Sequence, residues 1–321
     1  MISSWLRFSV IPLLLSTVIA LDLPIYSGLR TNQSRPGVLE IAFNNTKSEV
    51  NVWGEDTLSG LSDLVQKLQN DTEIKVVLFT SDVPLYFLNH LDLLIQPFGK
   101  YIFTKPFVAF QSKILFPTKI SLTTLDTTIA SRTIELLFNM TNLQQITIGA
   151  VEGVARGAGN EFLVSLDMRF ATKTHTLLGQ PEIGVGLIPG GGGSQYLPRL
   201  IGRGRAMEYI LSGKDVGAVE AERIGWINKA FDTTAEMNGH IDDLISRMVL
   251  FPIQALGLAK QSINVATRPQ LSDLLGDSDK FLQASSPASQ ALIGKSLELS
   301  ANQSDGDIER FFGEAIPLLY N

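Results

Sequence analysis

The chain contains no cysteine and only three histidines among its 321 residues. Without thiols it forms no disulfide, uses no thiolate nucleophile and holds no cysteine-ligated zinc or iron–sulfur cluster. His90, His175 and His240 are widely separated along the chain, which leaves little material for a histidine metal site or a catalytic triad. The sequence therefore predicts a protein without a bound metal.

Positive charge is also scarce. Lysine and arginine total 26 against 32 aspartates and glutamates, which gives a formal charge of −6 at pH 7. No run of basic residues supplies the clustered positive surface that a nucleic-acid binder needs. With 45% hydrophobic and 18% charged residues, the chain is too apolar to be disordered and long enough to bury a large core. A folded protein that does not bind nucleic acid is expected.

The first twenty residues have the pattern of a secretory signal peptide. Residues 1–7 carry one positive charge, residues 8–18 are almost entirely apolar, and small residues precede a cleavage point after Ala20. The apolar run is shorter than the roughly 20 residues of a membrane-spanning helix. We expect residues 1–20 to be removed, leaving a protein that is secreted or lies in the secretory lumen and has no membrane attachment. The alternatives are an uncleaved anchor and an incorrectly assigned start.

Five asparagines stand in the N-x-S/T pattern of N-glycosylation. Each is a weak signal alone because such tripeptides occur by chance, but beside a signal peptide they favour a lumenal or extracellular protein. The five are Asn32, Asn44, Asn70, Asn139 and Asn302.

Strand and helix patterns alternate through the first two thirds of the chain and then give way to helices alone. Strands are predicted at residues 37–43, 74–79 and 146–151, and helices at residues 56–69, 161–170, 193–200 and 204–211. Further helices are predicted at residues 238–249, 252–263, 271–283 and 305–319. This order predicts an α/β core at residues 21–231 and an all-helical region at residues 232–321.

Two glycine-rich windows hold the residues suited to chemistry. In residues 150–167 (AVEGVARGAGNEFLVSLD), glycines interrupt a strand-to-helix junction, where unpaired backbone N–H groups can hold an oxyanion. Glu161 lies in the first turn of that helix, and Glu182 lies in the second window, residues 180–199 (QPEIGVGLIPGGGGSQYLPR). Two carboxylates beside such a turn suit proton transfer next to a carbonyl. Spacing alone does not bring them together, and a capping glutamate plus a solvated loop glutamate is the alternative.

Both windows resemble the crotonase superfamily of enoyl-CoA hydratases and isomerases. The first is similar to its segment A-V-x-G-x-A-x-G-G-G-x-E-L-x-x-x-x-D, and the second to PE-x-x-x-G-x-x-P-G-x-G-G-[ST]-Q-x-L-x-R-x-x-G. Residues 76–93 (VVLFTSDVPLYFLNHLDL) resemble the strand and loop that end in F-x-A-G-x-D. The resemblance implies an α/β fold with a crotonase-like (ββα)n spiral core, a C-terminal helical region for oligomerisation, and a homotrimer or hexamer.

The resemblance also implies roles for single residues. Glu161 and Glu182 fall on two glutamates that hold and activate a water for addition to an α,β-unsaturated thioester. Asn89 and Ala158 fall on residues whose amides stabilise the enolate oxygen, and Gly190 lies where the next helix starts with its dipole aimed into the pocket. The implied reaction is hydration, dehydration or double-bond isomerisation of a small acyl substrate carried by coenzyme A, with no tightly bound cofactor.

Several positions depart from the family pattern. Asn89 and His90 replace the alanine and glycine of A-G-x-D, and Ala158 replaces the middle glycine of the triple glycine, which requires that its φ be negative. His90 is interpreted as an acid or polar contact in the acyl pocket or, preferably, as a loop imidazole that faces solvent. The aromatic residues 97–110 (PFGKYIFTKPFVAF) would cover the acyl channel or form a surface helix on the core.

The residues that would bind coenzyme A match the family pattern least well. Family members place Lys or Arg near the coenzyme A phosphates, whereas residues 307–320 contain Arg310 as their single basic residue. Asn44, a glycosylation candidate, precedes the loop near which the family binds the adenosine end. Two alternatives therefore stand beside a lyase or isomerase: a catalytically silent secreted binding protein, and a secondary-metabolite enzyme for a non-CoA carbonyl compound. Retention of both glutamates favours an enzyme.

Overall fold

A computed structural model describes residues 20–33, 35–94 and 129–321. Residues 1–19 of the predicted signal peptide and the aromatic segment at residues 97–110 lie outside these ranges. Among the helices that the structure describes, none is both long enough and apolar enough to cross a membrane.

Two sheets form the core of the described chain. The strands are β1 (Leu29–Asn32), β2 (Val38–Phe43), β3 (Val76–Ser81), β4 (Tyr86–Leu88), β5 (Ile146–Val151), β6 (Val154–Arg156), β7 (Met168–Thr172), β8 (Leu177–Gly179), β9 (Val216–Gly217) and β10 (Lys229–Phe231). The first sheet has the order β1-β2-β3-β5-β7-β10, and the second has the order β4-β6-β8-β9. Neighbouring strands run parallel except in the pairs β1–β2 and β8–β9.

Helices follow these strands and continue after them. They are α1 (Glu55–Leu68), α2 (Ile129–Thr141), α3 (Ala158–Ser165), α4 (Gly193–Ile201), α5 (Arg203–Ser212), α6 (Ala218–Ile224), α7 (Thr234–Met248), α8 (Ile253–Thr267), α9 (Leu271–Ala284), α10 (Pro287–Leu299), α11 (Asp307–Arg310) and α12 (Phe312–Ala315). Short 3₁₀ helices occupy Glu182–Val185 and Ile316–Tyr320.

The chain alternates between the two sheets as it advances. Strands β3, β5 and β7 join the first sheet, and β4, β6 and β8, which each follow one of them, join the second. A helix follows each pair, so each turn of the chain is a ββα unit. Parallel strands need such crossovers, and strands buried on both faces read as continuous apolar runs, as VVLF does in β3. The predicted (ββα)n spiral is confirmed.

An aromatic cluster fixes helix α3 to the first sheet. Phe162 is fully buried, and its ring centroid lies 5.1 Å from that of Phe43 and 5.0 Å from that of Phe79, in edge-to-face contact. Phe162 is the neighbour of Glu161 in the chain. This packing therefore holds the helix that carries the first predicted glutamate.

The predicted elements and the observed ones differ in several places. The helix predicted at residues 161–170 is wrong beyond Ser165, because Leu166 is extended and the next residues enter β7. There the Asp167 carboxylate accepts hydrogen bonds from the amide and hydroxyl of Thr147, at 2.8 and 2.9 Å, which starts β7 beside β5. Three helices, α2, α6 and α10, were not predicted, and neither were the short strands β1, β4 and β6 to β10. The single helix predicted at residues 305–319 is instead α11, α12 and a 3₁₀ helix, interrupted at Phe311.

The last part of the chain packs back onto the spiral. In the described residues the last strand ends at Phe231 and helices follow, but Met237 and Ile241 of α7 share an apolar cluster with Phe231. The C-terminal Phe312 and Ile316 pack in another cluster with the 3₁₀ helix at Glu182–Val185. The boundary at residue 231 stays a prediction, and the C-terminal turns support the element that carries Glu182.

Gly159 lies where helix α3 meets the loop after β4, and a larger residue cannot be placed there. A Cβ on Gly159 would lie 1.8 Å from the Leu88 carbonyl oxygen. We expect Gly159→Ala to lower the free energy of unfolding by about 1–3 kcal/mol or more, because the backbone must move. Urea unfolding measures this effect. Gly204→Ala in α5, where an added Cβ meets nothing within 4 Å, is the matched control and should be neutral or slightly stabilising. Equal urea midpoints for the two variants would contradict this expectation.

Candidate active site

Glu161 is buried, with 4% of its surface exposed, and its carboxylate is held by the glycine-rich loop. Its Oε1 accepts hydrogen bonds from the amides of Gly191 and Gly193, at 2.8 and 2.9 Å. A Cβ on Gly191 would lie 2.5 Å from Glu161 Oε2. The four-glycine loop therefore serves as a close-fitting cradle for this carboxylate, since its backbone can approach only without side chains.

The role predicted for Gly190 is wrong in one respect. Helix α4 begins at Gly193, after Gly192 in a left-handed conformation (φ 119°), and not at Gly190. The first amide of α4 donates to Glu161. Gly190 instead lies under α9, where a Cβ would come within 2.7 Å of the Phe281 side chain. The start of α4 thus orients a catalytic candidate and Gly190 allows α9 to close over the loop.

Glu182 opens the 3₁₀ helix after Pro181 and is half-buried. The side-chain amide of Gln180 is oriented so that both of its atoms have hydrogen-bond partners. Gln180 Nε2 donates to both Glu182 carboxylate oxygens at 3.0 Å, and Gln180 Oε1 accepts from Asn160 Nδ2 at 2.8 Å. Asn160 Oδ1 in turn accepts from Trp226 Nε1 at 3.0 Å. This relay of buried side chains fixes the orientation of the Glu182 carboxylate.

The glycine turn brings the two glutamates to one place. The Glu161 amide donates to the Gly157 carbonyl at 2.8 Å, and a Cβ on Gly157 would lie 3.2 Å from Glu182 Oε1. Burial raises the pKa of Glu161 to about 7 despite the bonds from Gly193 and Gly191. Burial, and then the charge of Glu161, raise the pKa of Glu182 well above its ordinary value. The two carboxyls are therefore close enough to interact, and each holds its proton to a higher pH than a solvent-exposed glutamate does, as in sites that exchange protons near neutral pH.

The raised pKa values predict a fold that is less stable when both carboxyls ionise. Because burial raises the pKa of Glu161 from 4.5 to about 7, its protonated form is favoured in the folded state. Its contribution to the free energy of unfolding is therefore greatest at acid pH and falls as the pH rises from about 4.5 through 7. One pKa unit corresponds to about 1.4 kcal/mol. The free energy of unfolding of Glu161→Gln should therefore exceed that of the wild type by on the order of 3 kcal/mol at pH 8 and by little at pH 5.

Urea unfolding of the wild type and Glu161→Gln at the two pH values is the measurement. If the wild type is at least as stable as the variant at pH 8, the conclusion that burial raises the pKa of the Glu161 carboxyl is contradicted.

Ala158 presents its amide at the start of α3. The preceding Gly157 has φ 54° and ψ −127°, a conformation open to glycine, while Ala158 is already the first helical residue. The requirement that Ala158 have a negative φ is thus met. None of the residues that the structure describes accepts a hydrogen bond from its amide, as is usual for the first amides of a helix. This amide is available to a ligand oxygen.

The prediction for the Asn89 amide is wrong. Its N–H donates to the Asn51 carbonyl at 3.0 Å because the loop after β4 runs beside the segment before α1. The Asn89 carbonyl accepts from the Gly159 amide at 3.1 Å, which ties this loop to α3. The next amide in the chain, that of His90, has no hydrogen-bond acceptor in the described part of the chain. His90 lies beside the glycine turn, since a Cβ on Gly157 would be 3.5 Å from its Cα.

The preferred interpretation of the His90 side chain is also wrong. The side chain is 14% exposed, and its Nε2 lies 3.1 Å from Oε2 of Glu309, a residue that no sequence signal pointed to. Gln180 and Asn160 were likewise missed, although Gln180 directly precedes the Pro-Glu pair of the motif. His90 is therefore a buried, paired residue next to the glutamates.

The glycosylation candidates differ in exposure. Asn70, Asn139 and Asn302 are exposed, whereas Asn32 and Asn44 are half-buried. Asn32 Nδ2 donates to Glu40 at 3.0 Å. Glycosylation stays a prediction at all five.

The absence of a bound metal also stays a prediction. Within residues 20–33, 35–94 and 129–321, no group of three or more histidines and carboxylates is arranged to hold a metal ion.

The two-sheet spiral, with two neighbouring glutamates beside an unbonded amide at a helix start, defines a crotonase-type enzyme. The chain belongs to the enoyl-CoA hydratase/isomerase family, whose sequence model matches residues 119–296. It is 29% identical to a short-chain-enoyl-CoA hydratase of Clostridium acetobutylicum over 72% of this chain and 79% of that one. It is 27% identical to a crotonyl-CoA hydratase of Syntrophomonas wolfei over 70% and 78% of the two chains.

Solved structures agree with this assignment. A protein of Streptomyces avermitilis assigned as an enoyl-CoA hydratase has a TM-score of 0.77 and 30% identity, covering 92% of this chain and 99% of that one. The fold is therefore α/β and crotonase-like, with a helical C-terminal region, and the protein is an enzyme of the hydratase/isomerase type.

Proposed function

We propose that the protein adds water to an α,β-unsaturated acyl-CoA thioester, and removes it in reverse, with Glu161 and Glu182 moving the protons. One observation carries this proposal: the buried Glu161 and the half-buried Glu182, both with raised pKa values, meet at the turn that exposes the Ala158 amide. An isomerase would need a single carboxylate to carry a proton between two carbons, whereas hydration uses one carboxylate to take a proton from water and a second carboxyl to protonate the α-carbon.

The amides of Ala158 and His90 are the proposed oxyanion donors. A thioester oxygen between them would gain negative charge as water adds to the β-carbon, and fixed amides stabilise that charge at any pH. The His90 amide replaces that of Asn89 in this role, because the latter is bonded to Asn51.

The two glutamates take complementary roles in the proposed reaction. Glu161 accepts two amide hydrogen bonds, which favour its ionised form, whereas the pKa of Glu182 is raised by burial and further by the Glu161 charge. Ionised Glu161 takes a proton from the water as the carbon–oxygen bond forms, and protonated Glu182 delivers a proton to the α-carbon of the enolate. After one hydration Glu161 is protonated and Glu182 is ionised. Transfer of one proton from Glu161 to Glu182, directly or through solvent, restores the starting state, and dehydration runs the same steps in reverse.

A hydration assay with crotonyl-CoA, paired with thermal-shift binding of free coenzyme A, tests this function. We expect turnover and a stabilising shift. Coenzyme A binding without turnover would favour the silent binding protein. Turnover of a short pantetheine-like thioester but not of crotonyl-CoA would favour a non-CoA carrier, consistent with the few basic residues near Arg310.

We also propose the localisation and the oligomeric state that the sequence implies. Cleavage after Ala20 would place residues 21–231 and 232–321 in the secretory lumen or outside the cell, with glycans on exposed asparagines. Leu258, Ile263 and Val265 of α8 expose apolar surface that supports a homotrimer or hexamer built through the helical region. Expression in a eukaryotic host, glycosidase digestion and light scattering test these points. A full-length, unglycosylated cytosolic monomer would contradict them.

A further inference from the structure

The C-terminal helix α11 reaches the loop after β4 through one buried carboxylate. Glu309 is 2% exposed, and its Oε2 lies 3.1 Å from His90 Nε2 and accepts a hydrogen bond from Asn89 Nδ2 at 3.2 Å. A single carboxylate from the far end of the chain thus holds both residues that replace the alanine and glycine of the family motif. These residues belong to the loop that carries the proposed oxyanion donor.

The hydrogen bonds of the His90 ring select its charged form. Nδ1 lies 2.8 Å from the Leu91 carbonyl oxygen, which only accepts, so this nitrogen carries a proton. Nε2 faces the Glu309 carboxylate, which also only accepts when ionised. Both contacts are satisfied together when the ring is an imidazolium.

The charges around the pair favour the same form. Fully buried Arg156 bonds both Asp215 carboxylate oxygens, at 2.9 and 2.7 Å, and donates to the Glu309 carbonyl at 2.7 Å. With His90 protonated, two buried cations balance the carboxylates of Asp215 and Glu309. Loss of the His90 proton would leave an unbalanced buried negative charge, which is costly.

Other titratable groups surround this cluster. Tyr86 donates to Asp305 at 2.8 Å, and Asp305 also pairs with Arg310 on the outer side, while Glu182 faces His90 across Gly157. Burial opposes protonation of His90, but the charge of Glu309 outweighs it and raises the pKa of the imidazole. Burial likewise acts against the charge of Glu309, yet His90 and Arg156 keep the pKa of this carboxyl below its usual value.

We infer that His90 and Glu309 are positioning residues, whose ion pair fixes the loop that presents the His90 amide to the thioester oxygen. This inference rests on the proposed function of that amide. The side chain acts through its own backbone, because both ring nitrogens are already engaged. Loss of the pair should therefore weaken transition-state binding more than substrate binding.

Glu309→Gln is the principal test. Glutamine keeps an acceptor for His90 and Asn89 but removes the charge, so the loop is held loosely. We expect kcat to fall about 10- to 100-fold, the scale of a small misplacement of a catalytic group, with KM little changed. Because the carboxylate no longer raises the pKa of His90, the decline of activity on the alkaline side should begin at lower pH. Glu309→Asp, which restores the charge, should recover the pH profile of the wild type.

A readout independent of turnover separates this inference from the proposed function. Nitrogen NMR of the His90 ring should show both nitrogens protonated in the wild type at neutral pH and one in Glu309→Gln. His175→Asn, at an exposed histidine, is the matched control and should leave activity unchanged. A neutral His90 ring in the folded wild type would overturn the inference, as would wild-type kcat and pH profile in Glu309→Gln. An inactive wild type with a charged His90 ring would overturn the proposed function and leave the ion pair that holds this loop in place.

Discussion

Glu161→Gln and Glu182→Gln are each expected to lower kcat by about 10²–10⁴-fold, the usual cost of losing one positioned acid or base. Glutamine keeps the size of each side chain and accepts the hydrogen bonds of the glycine loop in Glu161→Gln. KM should change little because the amides that hold the thioester remain. Steady-state kinetics with crotonyl-CoA measure both quantities.

The double variant sharpens this test. Since the two residues act as a unit in one addition of water, Glu161→Gln/Glu182→Gln should be little slower than the slower single variant. Glu152→Gln is the matched control, because Glu152 is an exposed carboxylate in the same glycine-rich window. Sensitivity at only one of the two positions would indicate an isomerase with a single base, and full activity in both single variants would show that neither carboxylate takes part in the reaction.

Ala158→Pro should lower kcat by about 10²–10³-fold by deleting one oxyanion donor. Ala158 is the first residue of α3, where proline fits because its fixed φ suits the helix and no intrahelical bond is lost. The variant therefore removes the amide hydrogen with limited effect on the helix. Single-turnover kinetics with crotonyl-CoA measure the chemical step.

Ala158→Gly is the control for this substitution. It keeps the amide and restores the residue that the family usually has, so it should retain activity. Circular dichroism and thermal unfolding should show that Ala158→Pro is folded. A folded Ala158→Pro with wild-type kcat would exclude the amide from the reaction.

Local sequence patterns predicted three strands and most of the longer helices, and the family resemblance implied the spiral and the roles of the two glutamates. The strand β5 was predicted at its observed bounds, because a buried parallel strand is a continuous apolar run bounded by polar residues. The end of α3 was not predicted, because the spacing of the apolar residues between Phe162 and Phe170 also fits a helix. Only the tertiary hydrogen bond between Asp167 and Thr147 starts the next strand.

The polar partners of the site could not be predicted in this way. Glu309 lies 219 residues from His90 in the chain, and no local pattern reports such a pairing. The Asn89 amide was assigned from a motif, but the motif carries no information about Asn51, whose carbonyl occupies that amide. Buried polar contacts depend on how distant segments meet, and sequence periodicity describes only which face of a segment is buried.

Hydration of crotonyl-CoA in water labelled with heavy oxygen tests the central claim most directly. If Glu161 and Glu182 activate one water for addition to the enoyl thioester, mass spectrometry should find one labelled oxygen in the 3-hydroxyacyl product of the wild type. The labelled product should form at a rate lower by about 10²–10⁴-fold in either glutamine variant. Wild-type enzyme that forms no labelled product, or variants that form it at the wild-type rate, would contradict the account.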